Sequence, residues 1–241
     1  MEQIYEQPLV ISPGLCDAAG KLAVHEVFRA FMDIAAAHAA RLGCGMAKLA
    51  PLHLFWLTVK TGADFIRRPA MGETVCLRTW PEAPGRMRCN RSYELLDSGG
   101  QRLIAGKTEW AVINTETGQL APMADIYPEG LRFDAPTARA AFARIPENGD
   151  FEDYDLYRVR STDIDLGGHM NNAAYVRALL GSFSNAELEA LRIRSLDVVY
   201  RAPCYEGETL TLQRRQGEAG PDLRMAGERG TVLLARIGGE L

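Results

Sequence analysis

STDIDLGGHMNNAAYVRALLGSF, residues 161–183, joins a polar, turn-forming run to an apolar helix, and the rest of the chain reads outward from it. Asp163, Asp165 and His169 sit in the run. Gly167 and Gly168 let it turn through positive φ and let a ligand approach the backbone. Asn171 and Asn172 are strong N-cap residues, because an Asn side-chain oxygen accepts from an orphan N–H of the first helical turn. Tyr175, Val176, Leu179, Leu180 and Phe183 then recur at helical spacing, so one helix face is expected to be buried. An acid, a base and the positive end of a helix converge in one short stretch. That is equipment for attack on a carbonyl and for holding an oxyanion.

Composition narrows the classes. The 241 residues are 47% hydrophobic, enough for one large domain or two small ones with proper cores. Lys and Arg number 27 against 31 acidic residues, a net charge of −4. No global basic field draws the chain to nucleic acid or to an anionic membrane. The first dozen residues show neither a basic n-region nor an apolar h-region, so no signal peptide is expected. No apolar run approaches membrane-spanning length, so no membrane insertion is expected. Cys16, Cys44, Cys76, Cys89 and Cys204 are odd in number and form no C-x-x-C. Neither a disulfide framework nor a metal site is suggested, and a reducing cytoplasm fits.

The chain before and after the opening stretch reads as a repeat. Ile4–Ile11 reads as a short strand that Pro8 demotes to an edge or an irregular one, and Asp17–Gly20 as a turn. Val24, Val27, Phe28, Phe31, Met32 and Ala35 mark one face of a helix running to about Arg41 and ended by Gly43 and Gly45. Leu54–Ile66, Thr74–Trp80, Met87–Leu96 and Arg102–Asn114 look extended, with a hairpin turn at Asp97–Gly100. Residues 120–150 read as a connector. Phe151–Arg160 leads into the opening stretch, and Ser195–Tyr200, Thr209–Arg215, Leu223–Arg229 and Thr231–Ile237 follow as strands. Asp17–Gly20 falls on Asp165–Gly168 at an offset of 148, and Val27–Met32 falls on Tyr175–Leu180 at the same offset. Arg67-Arg-Pro69 with Gly72-Glu-Thr74 matches Arg201-Ala-Pro203 with Gly207-Glu-Thr209, with one extra residue in the second. Ala105-Gly106 matches Ala226-Gly227, each pair expected before a strand. Each half is then a strand, a turn, a helix and four strands. A sheet that buries one face needs a partner, so the two halves are expected to pair.

That unit, duplicated, resembles the acyl-acyl carrier protein thioesterases of plants and bacteria over nearly the whole chain. The residues that carry the likeness are Trp56–Pro81, Gly106–Gly118, Ser161–Asn172 with its Asp-x-x-Gly-His-x-Asn-Asn signature, and Tyr175. The resemblance implies an α+β double hotdog, each repeat a long helix wrapped by an antiparallel sheet, with an N-terminal domain at 1–140 and a C-terminal domain at 141–241. It also implies hydrolysis of a fatty acyl thioester on acyl carrier protein without metal or organic cofactor. The family's Asp-x-Asn-x-His, with a Glu beside a Cys on a later strand, falls on Asp165, Gly167 and His169, and on Pro203 and Cys204. The Asn and Glu positions are therefore Gly167 and Pro203 here. An acyl-CoA thioesterase and an acyl-binding hotdog without useful catalysis stay open beside the main reading. So do a monomeric pseudo-dimer and a homodimer.

On that reading Asp165 is nucleophile or general base, although a turn Asp bonding its own backbone would look the same. His169 has no counterpart in the first half, where Lys21 stands, so chemistry is expected at the second site alone. Gly168, Asn171 and Asn172 are expected to position the helix start and an oxyanion. Gly167, Cys204 and Tyr175 are expected to line the site, Cys204 as an inert thiol. Asp163 reads as structural. Phe28, Phe31 and Met32 could line an acyl tunnel or only a core. Arg67, Arg68, Arg86, Arg88 and Arg91 could steer an acidic carrier or form a solvated basic face.

Overall fold

In the computed structural model, residues 3–137, 139, 141–217 and 219–239 are described. The chain divides into two units, residues 1–23 with 29–140, and residues 24–28 with 141–241.

The first unit opens with β1 (Tyr5–Val10), α1 (Val24–Arg41) from residue 29 onward, and a single turn of helix, α2 (Met46–Leu49). Strands β2 (Leu54–Phe65), β3 (Thr74–Pro81), β4 (Cys89–Leu96) and β5 (Arg102–Asn114) follow. They lie antiparallel in the order β1-β3-β4-β5-β2, which leaves Pro8 on the edge strand β1 as its missing donor predicts. Helix α1 stops where the sequence predicts. Gly43 takes φ +76°, and the N–H groups of Gly43 and Cys44 donate to the carbonyls of Ala40 (3.2 Å) and Ala39 (2.9 Å), a Schellman closure. Phe31 stacks on Tyr93 with ring centroids 4.4 Å apart. Its ring lies so close over Gly106 that a Cβ there would be 2.2 Å from Phe31 Cε2.

The second unit repeats this order. Its elements are β6 (Glu152–Arg158), α3 (Asn172–Gly181), α4 (Asn185–Ala190), β7 (Ile193–Tyr200), β8 (Thr209–Gly217), β9 (Gly220–Gly227) and β10 (Gly230–Gly239). The strands run β6-β8-β9-β10-β7, the first unit's order with each strand replaced by its counterpart. Isolated bridges Cys16–Leu22 and Ile164–Met170 sit at the offset of 148 read from the sequence.

Three expectations need correcting. Helix α3 is ten residues long, not a long rod, and ends at Gly181. Ser182 caps it, and Ser184 then starts α4 with a capping box to Glu187, so Phe183 leaves the helix and packs on Tyr154. The arginine-proline match is shifted by one residue. Ile66 and Arg67 both donate to Leu103 O, and Arg201 and Ala202 both donate to Val232 O, which pairs Pro69 with Cys204 rather than with Pro203. The Ala105-Gly106 match fails too. Gly106 lies inside β5, where Phe31 needs its bare backbone, whereas Gly227 ends β9 at a hairpin.

The connector is pinned rather than loose. Trp80 Nε1 donates to Ala135 O (2.8 Å), Thr137 N donates to Ser92 Oγ (3.0 Å), and Arg139 pairs with Asp64 on the face of the first sheet away from α1. Further along, Arg215 donates to Pro146 O (2.7 Å) and Asn148 O (2.5 Å), and Phe151 lies between the guanidinium groups of Arg215 and Arg224. Ile145 packs on Val199 and Leu234 of the second sheet. The basic side chains thus cover apolar surface with their stems and satisfy connector carbonyls with their heads.

Candidate active site

Asp165 organises the loop before α3. Its N–H donates to His169 O (3.0 Å), its carbonyl accepts from Gly168 N (3.0 Å), and its Oδ1 accepts from Gly167 N (2.8 Å). This is an Asx turn, closed by Gly168 at φ +75°, a conformation that costs glycine nothing. The returning limb carries His169, whose Nδ1 stands 3.7 Å from Asp165 Oδ1. The two side chains are 28% and 30% exposed, so both can meet a ligand and water. Gly167 lies under the imidazole. A Cβ there would be 2.9 Å from His169 Nε2 and 3.0 Å from Asp165 Oδ1.

Asp163 holds this loop from beneath. It is 1% exposed, accepts from Tyr157 Oη (2.7 Å), Arg160 N (2.9 Å) and Arg177 Nη2 (2.6 Å), and its carbonyl accepts from Asn171 N (2.8 Å). The sequence marks Asp163 as structural but gives no sign of Tyr157 or Arg177 as its partners. Their side chains meet it from β6 and α3, which only the folded chain brings together.

Asn171 is the N-cap, its Oδ1 accepting from Ala173 N (2.9 Å), and Asn172 opens the helix with its carbonyl accepting from Tyr200 Oη (3.2 Å). Tyr175 and Cys204 meet directly, the Cys204 N–H donating to Tyr175 Oη at 2.9 Å, while Cys204 O accepts from Met170 N at 2.8 Å. These two bonds fix the 201–205 loop against both α3 and the Asp165 turn. Cys204 is fully buried and desolvation pushes its thiol up, which keeps it protonated. The N–H groups of Gly168, Ala173 and Ala174 all have intramolecular acceptors. Gly168 thus contributes its backbone angle to the turn rather than a free N–H, and the start of α3 carries the positive end of the helix dipole.

The first unit carries the same frame with different side chains. Asp17 N donates to Lys21 O, Gly20 N to Asp17 O and Leu22 N to Pro69 O, each matching a bond of the second loop. Here Arg68 pairs with Asp17 and also donates to Leu22 O (3.1 Å). Burial alone would raise the Asp17 carboxyl, but Arg68 and the N–H groups of Lys21 and Ala19 bring it below its ordinary value. The residue at Arg68's place in the second unit is Pro203. Asp165 thus faces an imidazole where Asp17 faces a guanidinium.

The remaining residues singled out from sequence lie elsewhere. Phe28 and Phe31 are buried, and Met32, half-buried, accepts from Thr58 Oγ1 at 3.9 Å. Arg67 pairs with Glu73, Arg88 with Glu109, and Arg91 is buried against His38. Arg86 is exposed. Among the described residues no group of three His, Cys, Asp or Glu side chains converges to hold a metal ion, and no helix is long and apolar enough to cross a membrane.

The profile of the acyl-ACP thioesterase N-terminal domain matches residues 2–130, and that of the C-terminal domain matches residues 148–235. An oleoyl-acyl carrier protein thioesterase of Arabidopsis thaliana is 27% identical over 169 residues, which cover 65% of this chain and 46% of the relative. The chain thus spans about half the length of the curated relatives it matches. Among solved structures, an acyl-ACP thioesterase from Bacteroides thetaiotaomicron superimposes with a TM-score of 0.89 at 22% identity, covering 99% of this chain and 98% of that one. The 12:0-ACP thioesterase from Umbellularia californica does so with 0.85 at 19%, covering 100% and 98%. The shared fold is the α+β double hotdog.

Proposed function

The chain belongs to the acyl-ACP thioesterase family, and on that footing we propose that it hydrolyses the thioester of a fatty acyl-acyl carrier protein, releasing the free fatty acid and the carrier. The observation that supports this best is the difference between the two loops. One aspartate is closed off by Arg68, while the other, Asp165, stands beside His169 on an accessible turn at the start of a helix.

In this reading the thioester carbonyl lies toward the N-terminus of α3. Asp165 takes a proton from a water that His169 orients, and the water oxygen forms the new C–O bond. The C–S bond then breaks, and the carrier's thiolate leaves with the proton that Asp165 had accepted. The positive end of α3, held by Asn171 and Asn172, lowers the energy of the oxyanion. Gly167 makes room for the imidazole, and Tyr175 and Cys204 line the site. Phe28, Phe31 and Met32 are the proposed acyl-binding side chains of α1. The two hotdog domains are 1–140 and 141–241. Unpaired cysteines at five positions fit a reducing compartment such as the cytoplasm. Exposed Arg86 is the cation among the five singled out that is best placed to meet an acidic carrier, whether the protein acts as a monomer or a homodimer.

The test is turnover of one acyl chain on carrier protein and on coenzyme A, measured for the wild type, Asp165→Ala and His169→Ala. Loss in both variants with preference for the carrier supports the reading, and preference for coenzyme A transfers it to acyl-CoA. A second reading has its own observation. The family's Asn and Glu positions are Gly167 and Pro203, and a side chain at 167 would collide with His169. Acyl binding without turnover above background would make this an acyl-binding protein instead.

A further inference from the structure

Beneath α1, hydrogen-bond donors gather without matching acceptors. Cys89, Arg91 and Tyr93 alternate along β4 and pair across to Trp110, Thr108 and Gly106 of β5. Gly106 lies under Phe31, so this whole set faces the helix. Arg91 is 4% exposed. Its Nη1 meets His38 Nδ1 at 3.0 Å and Thr79 Oγ1 at 3.4 Å, and a guanidinium can only donate in such contacts. Among the described residues no carboxylate pairs with it. Tyr93 is fully buried, and its hydroxyl has only weak, poorly aligned hydrogen-bond contacts, with Thr108 and Trp110. Burial pushes that phenol up to about 12, so it stays a donor. The indole Nε1 of Trp110 is buried and lacks an acceptor as well. The Thr108 hydroxyl is engaged with Thr61 (3.3 Å).

One unsatisfied buried donor costs about 1–3 kcal/mol, and a buried charge without a counter-ion costs more. Two such donors beside an uncompensated guanidinium specify what completes them: an anionic group that only accepts. Cys89 belongs to an apolar cluster with Ala39, Leu42, Cys44 and Val112, against which the half-buried Trp110 packs, so apolar surface adjoins these donors near the protein's exterior. We propose that the donor cluster binds the carboxylate of an aliphatic ligand, with Arg91 supplying the charge and Tyr93 and Trp110 one hydrogen bond each. The binding proposal goes beyond the thioesterase reading, and only the assignment of the carboxylate's source rests on it. The carboxylate has two sources that share this chemistry, a released fatty acid or a second carboxyl group on the substrate's acyl chain.

Binding of decanoate and of decanol to the whole protein tests it, followed by calorimetry and by tryptophan fluorescence, with a Trp110→Phe variant to identify that residue's share of the signal. Decanoate should bind at least tenfold tighter than decanol. Arg91→Met should erase that preference, Tyr93→Phe should reduce it several-fold, and His169→Ala should leave it intact. Equal affinity for the two ligands in the wild type, no binding of decanoate, or a preference surviving Arg91→Met overturns the proposal. If Arg91→Met does not fold, the wild-type ratio and Tyr93→Phe decide. Faster turnover of a decanedioic monothioester than of the decanoyl thioester assigns the carboxylate to the substrate. Inhibition by decanoate without that preference assigns it to the released acid. Loss of all hydrolysis leaves the binding arms unaffected, so the two readings fail separately.

Discussion

The Nδ1 of His169 lies 3.7 Å from the Oδ1 of Asp165, with the imidazole seated over the bare Cα of Gly167. Gly167 has an ordinary φ, so alanine there carries no backbone penalty. Its Cβ would instead press on both His169 Nε2 and Asp165 Oδ1. Gly167→Ala should therefore keep its Tm and lose activity by about tenfold, because sub-ångström to 1 Å misplacements of catalytic groups cost up to about 100-fold. Steady-state kinetics beside a thermal melt checks this. An unchanged kcat would mean that the seating of the imidazole is irrelevant.

Asp165→Asn and His169→Gln keep size and hydrogen bonding while removing charge or basicity. A positioned acid or base contributes about 100-fold or more, so each variant should lose at least that in kcat. KM should stay near the wild-type value, since neither residue lines the proposed acyl path. A rise in KM with kcat unchanged would place both residues in binding instead.

Periodicity and spacing made the fold legible where one local cause decides it. The edge position of Pro8, the stop at Gly43 and the cap at Asn171 each follow from a single residue's chemistry. The 148-residue offset was readable because the two loops share their turn residues, and the paired bridges reproduce it. The short α3 was not readable, because Phe183 keeps helical spacing while Ser182 and Ser184 break the helix around it. The Asp165–His169 pair could be named from sequence, but Tyr157, Arg177 and Arg68 could not. Tyr157 and Arg177 come from the elements on either side of the loop and Arg68 from 51 residues away, and in each case the approach depends on how the chain turns, which sequence spacing does not record.

Arg68 predicts a pH dependence of stability. The Asp17 carboxyl is held below its ordinary value of 3.8 in the folded chain. Its contribution is therefore present above the unfolded value and is lost as pH falls through the folded one. Arg68→Met should cost about 1 kcal/mol at neutral pH, a surface-pair magnitude for two partly exposed side chains. The difference in Tm between wild type and variant should shrink in acid below the ordinary carboxyl value. A gap that stays constant from neutral pH into acid would mean that Arg68 acts by packing alone.

Asp163 anchors the Asp165–His169 loop through three donors while almost fully buried. Asp163→Ala leaves the Tyr157 hydroxyl and the Arg160 N–H without their acceptor. Arg177 is half exposed and can turn to water, so its share is small. Urea denaturation should show a loss of about 2–4 kcal/mol. Asp163→Asn, which keeps two of the acceptor contacts, should lose about half of that. Equal losses for both variants would mean that charge rather than hydrogen bonding holds the loop.

Gly62 tests whether the connector is fastened to the first sheet. A Cβ there would lie 2.6 Å from Arg139 Nη2 and 2.7 Å from its Cζ, because the guanidinium rests flat on the Gly62 backbone while pairing with Asp64. Gly62→Ala must displace Arg139 or bend β2, and overpacking of this kind costs about 1–3 kcal/mol. The paired strand is the stiffer element, so the side chain should give way and release the segment around Thr137. Limited proteolysis should then cut within residues 130–145 faster in the variant, while Asp64→Asn, which weakens the pair without adding bulk, should speed the same cut to a smaller degree. Cleavage at the wild-type rate in both would mean that Trp80 and Ser92 hold the connector without help from Arg139.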